Sequence, residues 1–140
     1  MKELENVRLW LMTYPQWDGT LEVDCSEYKP ACAGLYPQGL EEIKRREDVL
    51  GNVQVECRYR FVLYRHTAGQ QEGTAHAQWL LDFQNWVQQQ SAVGLTPRFG
   101  DVPARERMQA VKGKWENRSQ VGMSCYVVTL VADFIKIYEE

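Results

Sequence analysis

The chain has 140 residues, of which 44% are hydrophobic and 11% aromatic, enough for one folded domain with a real core. Its 16 basic and 19 acidic residues are mixed along the sequence and give a formal charge of -3, which argues against a dedicated nucleic-acid or anionic-membrane binder. No apolar run approaches the roughly 20 residues of a membrane helix, and the N-terminus lacks a signal region. We therefore expect a single cytoplasmic domain spanning residues 1–140.

The first predicted element is an amphipathic helix over residues 2–14, which Pro15 ends. Its apolar residues recur at helical spacing: Leu4, Val7, Leu11 and Tyr14. Short strands are expected next over residues 21–25 and 31–36, and the Pro-Gln-Gly sequence at 37–39 predicts a turn between the second of them and the following segment.

A long hairpin is expected in the middle of the chain. Residues 53–66 alternate between apolar and polar side chains, the period of a strand with one buried face, and we expect this strand to be central in an antiparallel sheet. Residues 40–48 have the composition of a short exposed helix, but they precede the long strand across a Gly-Asn turn. That position favours a strand as the first arm of the hairpin.

The strongest helix signal lies at residues 74–90. Trp79, Phe83, Trp86 and Gln90 step by four, three and four, with Leu80 and Val87 alongside. The aromatic stripe is typical of a core anchor against a sheet, and a platform for an aromatic ligand is the less common alternative.

Two further strands are predicted after a loop rich in Gly and Pro at residues 91–105. Residues 108–116 alternate, and residues 121–138 are apolar on both sides, which indicates a strand covered on both faces, the second face by another subunit. The fold class that follows is α+β, a mainly antiparallel sheet of about four to six strands with an N-terminal helix and one long helix packed on it.

Catalytic and metal signatures are weak in this sequence. Cysteines at 25, 32, 57 and 125 form no CxxC pair and have no histidine at metal-ligand spacing, so we expect no metal and no cofactor. A nucleophilic cysteine would need a pairing in space such as Cys57 with His66 or Cys125 with His76. The simplest interpretation is that Cys57 and Cys125 serve as small hydrophobic residues on the apolar faces of strands.

A mixed-charge surface is the best candidate site. If the strands at 53–66 and 108–116 are neighbours, six charged side chains share one polar sheet face: Glu56, Arg58, Arg60, Lys112, Lys114 and Glu116. Mixed charge favours protein contact over a phosphate track, and an ordinary solvated face is the alternative. The charges at 41–48 are interpreted in the same way, as a solvated surface or an interface.

Four segments carry a resemblance to a known family: residues 34–39 (GLYPQG), 45–51 (RREDVLG), 80–90 (LLDFQNWVQQQ) and 129–138 (TLVADFIKIY). They resemble the small minor capsid or tail-completion proteins of prophages in Gram-positive bacteria, which are similar to tail terminator proteins. The resemblance spans almost the whole chain and contains no catalytic motif.

The resemblance implies a structural, non-enzymatic subunit that assembles as a ring, typically hexameric, at the end of a phage tail tube. Its partners would be other copies of itself, the tail tube protein and a head-neck connector protein, with DNA only in transit. It would act in the host cytoplasm during assembly and then in the virion tail. Two alternatives stay open: a thiol-dependent enzyme or ligand-binding domain using Cys57 or Cys125 under the helix of Trp79 and Trp86, and a monomeric adaptor that docks another protein.

Overall fold

A computed structural model of the chain describes residues 2–17, 20–22, 32–68, 73–118 and 123–139. Within these ranges, the side chains at 20–22, 32, 66–68, 73–77, 114–118 and 123–126 lie outside the description. The elements in chain order are α1 (Lys2–Leu11), β1 (Thr20–Glu22), β2 (Cys32–Glu47), β3 (Val53–Ala68), α2 (Gly73–Ala92), a 3₁₀ turn (Pro103–Arg105), β4 (Arg107–Arg118) and β5 (Met123–Tyr138).

The strands form one sheet in the order β1-β2-β3-β5-β4. β2, β3, β5 and β4 pair antiparallel, and the short β1 adds a parallel pairing at β2. The α+β class is confirmed, and so is the central position of the strand predicted at 53–66. β5 continues the buried face over residues 128–134, whereas the described side chains of β2 contribute only Ala33 and Leu35 to the core and are exposed from residue 37 onward.

Most buried apolar side chains of the central strands point to one side, here called the inner face. Phe61 and Leu63 of β3 pair with Leu130 and Val128 of β5, and all four are at most 2% exposed. The opposite side, here called the outer face, carries the alternate residues of each strand. Because side chains alternate between the two faces along a strand, the face of one residue gives the face of every other residue in a regular stretch.

Both described helices pack on the inner face. Leu4, Val7 and Leu11 of α1 join Phe83 and Val87 of α2 in the same core cluster as the sheet residues. Aromatic contacts join the two helices. Trp10 of α1 stacks on Trp86 of α2 with ring centroids 4.9 Å apart, and Tyr14, just after α1, contacts Phe83 with ring centroids 5.5 Å apart. The aromatic stripe is thus part of the core. In the described part of the chain, no helix has the length and apolar character of a membrane span.

The predicted turn at residues 37–39 is wrong. The segments expected at 31–36 and 40–48 are one 16-residue strand, β2, which passes through Pro37 and Gly39 with a bulge between them. Gly39 has φ 106°, which a residue without Cβ adopts easily, and Pro37 is tolerated because β2 is at the sheet edge here and a bulge follows. The bulge absorbs the turn residues without reversing the chain.

The six charged residues were predicted to share one face on the condition that the strands at 53–66 and 108–116 are neighbours. This condition is wrong, because β3 and β4 are not adjacent. β5 lies between them and pairs with both. The physical reason is that β5 is apolar on both sides and gains most from an interior position. β4 instead contains a bulge at Lys112 and Gly113, with Lys112 at φ 56°, and lies at the edge.

Residues 91–105 are more ordered than a plain loop. α2 continues to Ala92, and the 3₁₀ turn occupies Pro103–Arg105. The carboxylate of Glu106 accepts the backbone N–H groups of Phe99 and Gly100 at 2.9 and 2.7 Å. Phe99 then packs against Tyr59 and Phe134 and extends the cover of the inner face beyond the helices.

Candidate interaction surface

The six charged residues predicted as an interface fall into two groups. Glu56, Arg58 and Arg60 occupy the outer-face positions of β3. Lys112 is exposed in the bulge of β4. The backbone positions of Lys114 and Glu116 pair with Val127 and Cys125 of β5, and the side chains of these two residues lie outside the described residues.

Arg58 forms the best-defined ion pair of this surface. Its Nε donates to Asp133 Oδ1 at 2.7 Å and its Nη2 reaches Oδ2 at 3.4 Å, across the β3–β5 register pair. Both side chains are about one-third exposed, so the pair is partly shielded from solvent. The hydrogen bond from the guanidinium to Asp133 raises the pKa of Arg58 above its ordinary value.

Two further pairs extend the charge pattern to either side. Arg60 meets Glu41 of β2 with Nη2 and Oε2 3.3 Å apart, and Glu56 meets Arg105 of the 3₁₀ turn at 3.5 Å. Arg60, Glu41 and Arg105 are more exposed than Arg58 and Asp133, and Glu56 is exposed to a similar extent, so the two contacts add little to stability. With these two contacts, each of the three predicted charged residues of β3 has a partner of opposite charge within the chain.

Apolar side chains lie between the charged ones on this face. Val62, Val131 and Ile135 are only 6%, 8% and 3% exposed although they point away from the helices. These three side chains are therefore buried within the outer face, and the charged residues around them form its exposed part. Paired charges of both signs are common at the surface of protein contacts.

A shallow cleft of about 160 Å³ opens at the end of this face. Its charged lining residues are Glu56, Arg58, Arg105, Arg107 and Asp133. Arg58 and Arg105 are each paired with one of these carboxylates, which leaves a single excess positive charge, that of Arg107, in the lining. The arrangement suits contact with another mixed-charge surface.

Sequence reasoning missed Asp133, Glu41 and Arg105 as members of this surface. Asp133 had a usable signal, since it is the one charged residue in the apolar stretch 123–135. Arg105 had none, because its approach to Glu56 depends on how the loop folds back toward β3.

Cys57, the thiol considered as a nucleophile, belongs to the inner face. It is 6% exposed, packs with Val55 and Phe134, and its Sγ lies 3.7 Å from the carbonyl oxygen of Val55. Burial raises the pKa of the Cys57 thiol above its ordinary value, which disfavours the thiolate. The side chains of Cys125, His66 and His76 lie outside the described residues, so the Cys–His pairings stay predictions.

Metal ligands do not gather in the part of the chain that the structure describes: no group of three His, Cys, Asp or Glu residues there could hold an ion. The described site is therefore a surface of paired charges and small apolar side chains. Neither the models of known protein families nor the curated proteins contain a match to this chain.

Proposed function

We propose that this chain is a structural subunit of a phage tail or tail-like particle, without enzymatic activity. It forms a ring, typically of six copies, that caps the tail tube, ends tube polymerisation and joins the tail to the head. The observation that carries the proposal is the outer face of the sheet, with its paired charges and its small apolar side chains. The sequence resemblance supplies the biological setting.

The charge pairing favours protein over nucleic acid as the partner of this face. Three arginines are neutralised by Asp133, Glu41 and Glu56. A surface that binds phosphate backbones needs unpaired cations, and its affinity comes from releasing counterions. A surface whose arginines are neutralised by carboxylates should bind DNA weakly, which is compatible with a conduit through which DNA only passes.

A closed ring requires contact between two unlike patches on each subunit. The outer face provides one of them, and the other lies on the next copy. The tail tube protein and a head-neck connector protein are the partners proposed on the two sides of the ring. Val62, Val131 and Ile135 are already at most 8% exposed, so the contact would be made mainly by the charged side chains around them.

A thiol-dependent enzyme is disfavoured at Cys57, since that thiol is buried and its pKa is raised by burial. An adaptor that docks another protein without self-assembly uses the same outer face. The two remaining functions differ in one respect, whether copies of the chain contact one another on the tail.

The decisive experiment is electron microscopy of tails made with and without this protein. We expect tubes of uncontrolled length, or tails detached from heads, when it is missing. Tails of normal length attached to heads in its absence would contradict the proposal.

A charge exchange tests the surface itself. The double variant R58D/D133R keeps an ion pair within the subunit but inverts its direction on the outer face. We expect the variant to fold and to lose ring assembly on tail tubes. The matched control is E5R/R8E, which exchanges an ion pair on α1 and should leave assembly unchanged. Normal rings with R58D/D133R would exclude this face as the contact.

A further inference from the structure

We propose that two free copies of this chain pair through β2, antiparallel around a two-fold axis at Lys44, to form one continuous sheet. The strand that pairs with the edge of β2 is therefore β2 of a second copy of the chain. This contact goes beyond the proposed ring and does not depend on it, because a two-fold contact closes after two copies whereas a ring needs unlike patches.

The first observation is that, among the described residues, the outer edge of β2 has no partner strand beyond Gly34. β1 pairs with β2 only from Cys32 to Gly34, and no described residue pairs with that edge further along. Every residue from 37 to 50 is exposed, including Leu40 at 60% and Ile43 at 45%. An unpaired edge of this length is a template for another strand.

The second observation is the order of charges along the edge. Residues 41–46 read Glu-Glu-Ile-Lys-Arg-Arg, acidic at one end and basic at the other. When such a block meets its own copy antiparallel, each acidic residue faces a basic one: Glu41 faces Arg46, and Glu42 faces Arg45. Because the axis repeats both contacts, four opposite-charge contacts form.

The third observation is the bulge at Ile43, which makes this pairing geometrically possible. In an unbroken strand, residues five or three apart lie on opposite faces and could not meet across an antiparallel pair. The register of β2 on β3 skips Ile43, so Glu41 and Arg46 share the outer face while Glu42 and Arg45 share the inner one. The ion pair between Glu42 and Arg45 within one copy, at 2.7 Å, confirms that these two side chains are on the same side.

Other registers are less favourable. A shift of two residues toward the hairpin tip sets Glu42 against Glu47 and Arg45 against its own copy, so every charged contact is between like charges. A shift the other way halves the number of opposite-charge contacts, and a parallel arrangement sets each charge against itself. The charge order therefore selects the two-fold pairing and opposes open-ended stacking.

The axis itself holds one like-charge contact, Lys44 against Lys44 of the second copy. Glu56 is the cross-strand partner of Lys44 in the β2–β3 register of each copy, so the two side chains are on the same face of neighbouring strands. The four attractive contacts outnumber this one. Since all of the charges are exposed, the dimer should weaken as salt rises.

Two complementary variants test the pairing by sedimentation of the purified chain over a range of concentrations. E41R/E42R makes the block basic at both ends, and R45E/R46E makes it acidic at both ends with Lys44 unchanged at the axis. We expect the natural chain to dimerise, each variant alone to be monomeric, and an equimolar mixture to form a heterodimer at least as stable as the natural dimer. The control K2E/R98E carries the same charge change as R45E/R46E at exposed positions off the edge and should dimerise normally.

A cysteine placed on the axis fixes the register. In Lys44→Cys the two introduced residues face each other with Cα atoms about 4.5–5.5 Å apart, within the range of a disulfide. We expect a disulfide-linked dimer on mild oxidation, above the background of the natural chain. Glu41→Cys faces Arg46 and should not cross-link. A natural chain that stays monomeric at every concentration, or a mixture of the two charge variants that does not associate, would overturn the proposal; loss of ring assembly on tails would not bear on it.

Discussion

The two edges of the sheet are treated in opposite ways. At the β4 edge, side chains of α2 occupy the backbone groups: Gln84 Nε2 donates to the carbonyl oxygen of Ala110 at 3.1 Å, and Ser91 Oγ accepts the N–H of Met108 at 3.1 Å. At the β2 edge no described residue does the same beyond Gly34. In the part of the chain that the structure describes, side chains of α2 close one edge and no comparable contact covers the other.

At the end of β5, the loop residue Asp101 satisfies backbone groups of the strand. Where β4 stops pairing, the backbone N–H of Asp101 donates to the carbonyl oxygen of Ile135 at 2.7 Å, and the Asp101 carboxylate accepts the N–H of Ile137 at 2.8 Å. The loop thus acts as a short substitute strand. Within the described residues, side chains satisfy backbone groups at the β4 edge and at the end of β5, and none does so at the β2 edge beyond Gly34. The charged and bulged β2 is therefore the edge through which new pairing can occur.

The largest effect on the closed edge is expected from Gly100→Ala. A Cβ at Gly100 would lie 2.3 Å from the backbone oxygen of Ile135, so the loop must move and the contacts of Asp101 must loosen. We expect a loss of about 1–3 kcal/mol in the free energy of unfolding, measured by chemical denaturation, and faster exchange of the Ile137 amide. Gly113→Ala is the control, because its nearest neighbours are Gln84 side-chain atoms at 3.5 Å or more. Equal stability of the two variants would show that the loop does not close this edge tightly.

A smaller effect is expected from Ser91→Ala. Met108 is 1% exposed, and without the serine hydroxyl its N–H loses the acceptor that α2 supplies. Leaving a buried donor unsatisfied should cost about 1–2 kcal/mol, and the Met108 amide should exchange faster in hydrogen-exchange experiments. Gln88→Ala removes an exposed side chain from the same groove and should change neither quantity. A neutral Ser91→Ala variant would mean that the helix merely lies over β4.

The smallest effect concerns the tip of the open arm. The Asp48 carboxylate accepts the backbone N–H groups of Asn52 and Leu50 at 3.0 and 2.8 Å. These hydrogen bonds, that of Asn52 first, hold the pKa of Asp48 below its ordinary value of 3.8. Because the pKa is lowered in the folded chain, the stabilisation is present above pH 3.8 and disappears as pH falls through the lowered value.

Unfolding experiments on the natural chain and Asp48→Asn over a pH series measure this contribution. We expect the stability difference between them to be constant near neutral pH and to shrink in acid below the ordinary aspartate range, since asparagine does not titrate. A difference independent of pH would show that the carboxylate charge plays no part in holding the tip.

Much of the fold could be predicted because its signals are local. The alternation of residues 53–66 fixed β3 and its inner face, and the stripe through Phe83 fixed the buried side of α2. The turn at Pro37 and Gly39 was mispredicted because the same residues serve a turn and an edge bulge equally well. Only pairing with β3 distinguishes the two.

The candidate surface divides in the same way. The outer-face positions of Arg58 and Arg60 follow from their phase in the strand. Their partners do not, since Asp133 is 75 residues from Arg58 and Glu41 is 19 residues from Arg60. Which charges are neutralised within the chain depends on the strand order, which placed β5 rather than β4 beside β3.

By itself, the sequence determined most element types, the buried sides of β3 and α2, and the charge order of residues 41–46, because these depend on period and composition alone. The tertiary structure decided that β2 is an edge, that its bulge at Ile43 brings acidic and basic residues onto common faces, and that the opposite edge is closed by α2 and Asp101. Edges and registers arise from pairing between distant segments, and that pairing has no local signal.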